Sequence, residues 1–385
     1  MIDPTVTSQK LRAAGMVLAV FLSWATSPGC ADGGQAAQDP LADKGQSAAQ
    51  TKPTDWKSTL VGIVSKVTLA TEHGTLLYAF DSLAYPGKSV DLIARVLAVR
   101  KMDHPKDVTI EFLHAGRSLG KVKTDEEGYA KLVWTPPKAG DYQMTARITA
   151  VPDSDYNDML KVTPTPLLVA ARARKSRMIV IDLDHTVVAS SFFRVIVGGA
   201  KPMPKAAEVI GQLSKKYGIV YLTHRPDLLT VKSKTWLSKN GFPRAPLLVS
   251  KLSQAIGDSG KFKTGRLREL RKQYPNVAIG IGDRVTDVKA YVDNGLKAYL
   301  IPHYDRNDDD DVDDMAEDIG KIRTDIQVVD GWEQIGASIL RGQKFPAAPF
   351  ARKLRARAEW LRKEKQRKKR EKQRREREEE EEDDD

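Results

Sequence analysis

Two hydrophobic patterns divide the chain. In residues 55–170 the apolar positions form short runs: Leu60–Leu69, Thr75–Phe80, Ser89–Val99, Val108–Leu113, Tyr129–Trp134, Tyr142–Ala150 and Leu160–Ala170. Turn-forming pairs punctuate them, among them Pro86-Gly87, Glu127-Gly128, Pro136-Pro137 and Ala139-Gly140. Regular short strands with such turns predict an all-β antiparallel sandwich. In residues 175–345 the pattern changes. Continuous apolar runs at Met178–Ile181, Ile219–Leu222, Leu247–Val249, Val277–Ile281 and Ala298–Ile301 predict strands buried on both faces. Between them Ala206, Val209, Ile210 and Leu213 recur at helical spacing, as do Leu267 and Leu270. Pro226 can open a helix that Asn240-Gly241 closes. Strands alternating with helices predict an α/β fold, a doubly wound parallel sheet.

The polar groups stand where such a sheet does its chemistry, just past the carboxyl ends of the strands. The first strand runs into Asp182-Leu183-Asp184-His185-Thr186. Strand alternation sends both aspartates to one side. Two carboxylates so close resist joint ionisation unless a cation or a proton compensates. That suits a magnesium site, or a nucleophile beside a general acid. The second strand ends in Thr223-His224-Arg225-Pro226, a basic segment Lys261-Phe262-Lys263 opens a later helix, and the fourth strand ends in Gly282-Asp283-Arg284-Val285-Thr286-Asp287.

The set Asp-x-Asp-x-Thr, strand-Thr, Lys and Gly-Asp-x-x-x-Asp, in this order, resembles the four motifs of the haloacid dehalogenase (HAD) superfamily of phosphotransferases. Tyr221 to Pro226, Trp236-Leu237, Asn240 to Pro243, Pro246-Leu247, Phe262-Lys263, Thr286-Asp287, Ala290-Tyr291 and Gly295 further resemble the lipin-type phosphatidate phosphatase domain. The likeness is strongest to its relatives in membrane-associated phosphatidylinositol-transfer proteins, and it covers residues 175–305. Those relatives have degraded first motifs and bind rather than hydrolyse; this chain keeps Asp182, Asp184 and Thr186. It also has Asp283 where the lipin-type pattern often has Asn.

The resemblance implies a division of roles. Asp182 is the nucleophile that forms an aspartyl-phosphate, and Asp184 the general acid and base. Thr223 and Lys263 hold the phosphoryl oxygens, with Lys251 as the rival lysine. Mg2+ is held by Asp182, Asp283 and the backbone carbonyl of Asp184. Asp287 orients the site or Lys263. His185 points away from the nucleophile, His224 reads as a loop residue, and Arg225 binds a head group or caps a helix. The segments between motifs are taken up by core helices, which implies a domain without a cap. Capless sites suit large or membrane-bound substrates. The expected activity is hydrolysis of a phosphomonoester, phosphatidate or a related phospholipid. The alternatives are a soluble or nucleic-acid-end phosphomonoester, or a non-catalytic phospholipid-binding module.

Composition adds the ends. The 385 residues include 41% hydrophobic and 29% charged, with a formal net charge of +11. No basic patch interleaved with aromatics argues for nucleic acid as a partner. Lys10 and Arg12 precede an apolar stretch, Ala13–Trp24, and then Ser27-Pro28-Gly29-Cys30. Residues 1–30 read as an export signal. Cys30, the single cysteine, resembles the lipidation site of bacterial lipoproteins. That implies an exported protein held to a membrane of the bacterial cell envelope by a lipid anchor; a signal cleaved elsewhere and an uncleaved anchor remain open. Residues 31–54 read as a flexible tether. Residues 55–170 resemble bacterial immunoglobulin-like modules through Thr124–Ala130, Trp134–Pro137 and Ala139–Tyr142. The acidic run Asp308–Asp314 reads as a solvated loop. Residues 346–385, basic from Arg352 to Arg377 and acidic from Glu378 to Asp385, read as a charged, solvated tail.

Overall fold

The computed structural model describes residues 74–98, 103–190, 195, 199–251, 258–322 and 325–383. The export signal, Cys30, the tether and the run Leu60–Leu69 lie outside the described residues.

Among the described residues the β-rich part has eight strands: β1 (Thr75–Phe80), β2 (Ser82–Ala84), β3 (Val90–Ala98), β4 (Thr109–His114), β5 (Arg117–Lys123), β6 (Tyr129–Trp134), β7 (Gly140–Ala150) and β8 (Thr165–Ala171). They form a three-stranded sheet in the order β1-β3-β6 and a five-stranded sheet in the order β2-β8-β7-β4-β5. Leu92, Ala94, Val96, Ile110, Phe112, Ala146 and Val169, alternate positions on facing strands, pack into one core. All pairings are antiparallel except β2 with β8, which is parallel. The chain changes sheet at Asp81, between β1 and β2. The expected run Leu160–Ala170 is shorter as a strand, because Ser154–Lys161 is a 3-10 helix capped by Asp153. Strand β5 is an unpredicted edge strand: Arg-Ser-Leu-Gly-Lys-Val-Lys has little apolar content, and pairing with β4 decides its conformation.

Among the described residues the α/β part has six strands: β9 (Met178–Ile181), β10 (Gly218–Pro226), β11 (Leu247–Ser250), β12 (Val277–Gly282), β13 (Lys297–Leu300) and β14 (Gln327–Val328). Its helices are α1 (Ala206–Ser214), α2 (Thr230–Lys239), α3 (Ser259–Gln273), α4 (Val285–Asp293), α5 (Asp309–Gly320) and α6 (Trp332–Arg341). The sheet order is β11-β10-β9-β12-β13-β14, and every pairing is parallel. Met178 to Ile181 are each fully buried. Their side chains alternate between the two faces. Met178 and Val180 join Leu267, Leu270, Val288 and Val312, whereas Ile179 and Ile181 join Val209, Ile210, Leu213 and Ile335. Strand order reverses at β9, so the carboxyl end of β9 opens into the switch-point crevice where open α/β sheets place ligands.

A long helix, α7 (Ala347–Asp383), follows. The residues read as a solvated tail therefore begin as a structural helix. Phe350, Ala351, Leu354 and Ala358 are buried in the same core as Val312, Ala316 and Ile319 of α5. Arg362 Nη2 lies 2.6 Å from Asp313, and Lys365 Nζ 3.2 Å from Asp309. The acidic run is accordingly not a loop. Asp308 caps α5 through the amides of Asp310 and Asp311, and the following aspartates sit in its first turn, where the helix dipole favours negative charge.

Candidate active site

The site is built from strand ends. Asp182 directly follows β9, and its amide donates to the Ile281 carbonyl at 2.9 Å, which ties it to β12. Asp283 follows β12, and Asp287 lies one helical turn on, in α4. Gly282 makes that turn possible. A Cβ there would stand 2.8 Å from the Asp287 side chain, so any other residue would push the carboxylate away. Lys263 reaches in from the second turn of α3. Its Nζ lies 2.8 Å from Asp182 Oδ1 and 2.6 Å from Asp287 Oδ1. All four side chains are buried.

One ammonium faces three carboxylates, so the balance in this pocket is negative. Burial, with Asp287 and Asp184 nearby, pushes the Asp182 carboxyl up to about 6 against the opposing pull of Lys263. Burial and the charges of Asp287 and Asp182 hold Asp283 well above the usual carboxylate range. Burial disfavours the charged Lys263, but Asp182 and Asp287 outweigh it and keep the ammonium protonated.

The donor set fits a divalent cation. Oxygens of Asp182, Asp283 and Asp287 all lie within 4.8 Å of one another. Asp287 Oδ2 is buried and has no hydrogen-bond partner, and the same holds for Thr186 Oγ1. A hard cation prefers oxygen ligands of this kind and removes the mutual repulsion of the carboxylates. Asp287, expected to orient Lys263, does contact it and also belongs to this carboxylate group. The Asp184 side chain does not.

Asp184 instead faces Arg225, which sequence reading offered as a head-group ligand or helix cap. Arg225 Nη2 donates to Asp184 Oδ1 at 2.6 Å, and Nε to Oδ2 at 3.1 Å. Its third arm, Nη1, donates to Ser233 Oγ at 3.0 Å. Thr223, near the end of β10, is buried, and its hydroxyl accepts the Arg225 amide at 3.3 Å. The only sequence signal for the clamp is an arginine two residues past the motif threonine. Lys251, the rival lysine, lies 6.0 Å from the Tyr129 ring centroid, whereas Lys263 contacts Asp182. His185 adopts a left-handed backbone, φ 54°, and stacks on His303 at 3.7 Å. His224 packs near the Phe262 ring at 5.0 Å.

The parallel sheet thus brings together a buried aspartate at the switch point, a lysine across from it and carboxylates after the neighbouring strand. Residues 179–301 match the family profile of the LNS2 domain of PITM 1-3. No curated relative matches the chain. Among solved structures, D,D-heptose 1.7-bisphosphate phosphatase from B. bronchiseptica, solved with magnesium and phosphate, is similar at 14% identity and a TM-score of 0.33, over 43% of this chain and 99% of its own. The Pnkp1/Rnl/Hen1 RNA repair complex is similar at 15% identity and a TM-score of 0.30, over 41% of this chain and 58% of its own. The D00-D0 domain of Intimin is similar at 16% identity and a TM-score of 0.19, over 25% of this chain and 46% of its own.

Proposed function

We propose that this chain is a magnesium-dependent phosphomonoester hydrolase that works through an aspartyl-phosphate on Asp182, with phosphatidate or a related phospholipid monoester as substrate. One observation carries the reading. A buried Asp182 at the switch point is ion-paired to Lys263 inside a group of three carboxylates, one of which keeps an oxygen without a partner. A purely structural ion pair has no use for the surplus negative charge.

In the first step an Asp182 oxygen attacks phosphorus while the bond from phosphorus to the ester oxygen breaks, and Asp184 gives its proton to the departing alkoxide. In the second, water attacks the same phosphorus, Asp184 takes its proton, and the bond from phosphorus to Asp182 breaks, freeing phosphate. Lys263 and Thr223 offset the charge on the phosphoryl oxygens. Mg2+ held by Asp182, Asp283 and the Asp184 carbonyl, beside the open Asp287 oxygen, would supply the charge that lets an anionic nucleophile approach an anionic phosphate.

The lipid assignment is supported by the lipin-type resemblance and the LNS2 match. Export and anchoring through Cys30 belong to the same proposal, since a tethered enzyme meets a substrate in its own membrane at high effective concentration. Asp182→Asn tests the mechanism, because an amide cannot attack phosphorus. The variant is expected to keep its fold and lose phosphate release; undiminished release by it refutes the aspartyl-phosphate.

A further inference from the structure

The two parts of the molecule meet through buried polar groups, and one of these contacts leads into the candidate site. Arg95, on β3 of the sandwich, lies 3.2 Å from the Asp227 carboxylate, which is fully buried. Its own sheet fixes the rest of that guanidinium. Arg95 donates to the Glu127 carbonyl at 3.0 Å and the Tyr78 hydroxyl at 3.3 Å, lies 3.2 Å from His104 Nε2, and stacks over the Tyr129 ring at 4.4 Å. Burial pushes the Asp227 carboxyl up and Arg95 pulls it back, so a sandwich residue supplies its counter-charge.

Asp227 lies two residues beyond Arg225, across Pro226, whose ring restricts the backbone between them (φ −63°, ψ 148°). The Arg225 carbonyl accepts Ser250 Oγ at 3.1 Å, and its side chain grips both oxygens of Asp184. Asp184, with 27% of its side chain exposed, sits in an open position, so the arginine fork fixes the plane of its carboxylate.

We infer that the sandwich is a working part of the catalytic centre: Arg95, through Asp227, sets the segment that carries Arg225, and Arg225 aims the Asp184 carboxylate at the leaving group. This rests on the phosphatase reading. Arg225 acts through Asp184, and Arg95 through Asp227 and Arg225, so both are positioning residues.

The test uses phenyl phosphate and p-nitrophenyl phosphate, two soluble esters of similar size whose leaving groups differ greatly in basicity. A general acid matters most for the more basic leaving group. A misplaced Asp184 therefore lowers kcat/KM for phenyl phosphate more than for p-nitrophenyl phosphate, whereas loss of folded protein lowers both by one factor. With the full chain and magnesium, Arg225→Gln is expected to reduce the phenyl ester by about tenfold more than the nitrophenyl ester. Arg95→Gln is expected to give the same split at about threefold, with Arg95→Lys recovering part of it. The double variant Arg95→Gln/Asp227→Asn leaves no unpaired buried charge and serves if Arg95→Gln fails to fold; it is expected to show the same split. Equal losses on the two esters, or no loss, in a folded Arg95 variant overturn the inference alone. Absence of turnover by the unmodified protein of both aryl esters and of phosphatidate in mixed micelles overturns the phosphatase reading and the inference with it.

Discussion

At the scale of single residues, the candidate site divides into what is local in the chain and what is not. Asp182, Asp184 and Asp283 were legible because each stands one to three residues past a strand that its own apolar run announces. Lys263 was legible only as one of several lysines, and its contact with Asp182 selects it over Lys251. The partner of Asp184 was not legible, since Arg225 stands 41 residues away and nothing in its neighbours fixes the direction of its side chain. The carboxylate group also gives a pH prediction. The Asp182 carboxyl rises from 3.8 to about 6 on folding. Across that window the folded chain keeps a proton that the unfolded chain has lost. This contribution thus favours folding below the window and is lost as pH rises through it. Magnesium needs the anion, so it competes with that proton. Saturating magnesium is expected to raise Tm by about 5 °C or more near pH 7.5, and by much less near pH 5, measured by differential scanning calorimetry. An equal shift at both pH values contradicts the assigned ligands.

At the scale of elements, the buried strands of the α/β sheet were the most legible, because continuous apolar runs have few other destinations. The failures are informative in a different way. Strand β5 carries almost no apolar signal and exists because β4 is next to it, joined by a turn in which Ala115 and Gly116 both have positive φ. The acidic run and the basic tail each read as solvated when taken alone. Together they make α5 and the first half of α7, with charge complementarity around an apolar seam. Charge runs hide such seams, since Phe350, Leu354 and Ala358 are outnumbered by their charged neighbours. Leu354, 2% exposed, is the central apolar contact of that helix. Leu354→Ala is expected to cost about 2–5 kcal/mol in urea unfolding. Deleting residues 370–385, beyond the seam, is expected to change stability by less than about 0.5 kcal/mol. Equal effects of the two changes would falsify the packing role of α7.

At the scale of the whole molecule, the sandwich and the α/β part share buried contacts. Asp81, at the point where the chain changes sheet, accepts the Leu168 amide at 2.8 Å, the Leu247 amide at 3.0 Å and Lys234 Nζ at 2.6 Å. The Tyr274 hydroxyl donates to the Leu83 carbonyl at 2.6 Å, and Leu83, Leu168 and Ala170 join the α/β core. None of this was legible. Arg95 and Asp227 are 132 residues apart, and each is unremarkable among its neighbours. Such sharing predicts one cooperative thermal transition for both parts, checked by agreement of calorimetric and van't Hoff enthalpies; two resolved transitions contradict it. The central claim, a magnesium-dependent hydrolase of a phosphomonoester presented at a membrane, is tested most directly by one kinetic comparison. It sets kcat/KM for phosphate release from phosphatidate in mixed micelles against that from a soluble sugar phosphate, with magnesium and with EDTA. The account predicts release that requires magnesium and favours phosphatidate. No release from either ester, with binding to phosphatidate micelles intact, contradicts it and identifies a lipid-binding module instead.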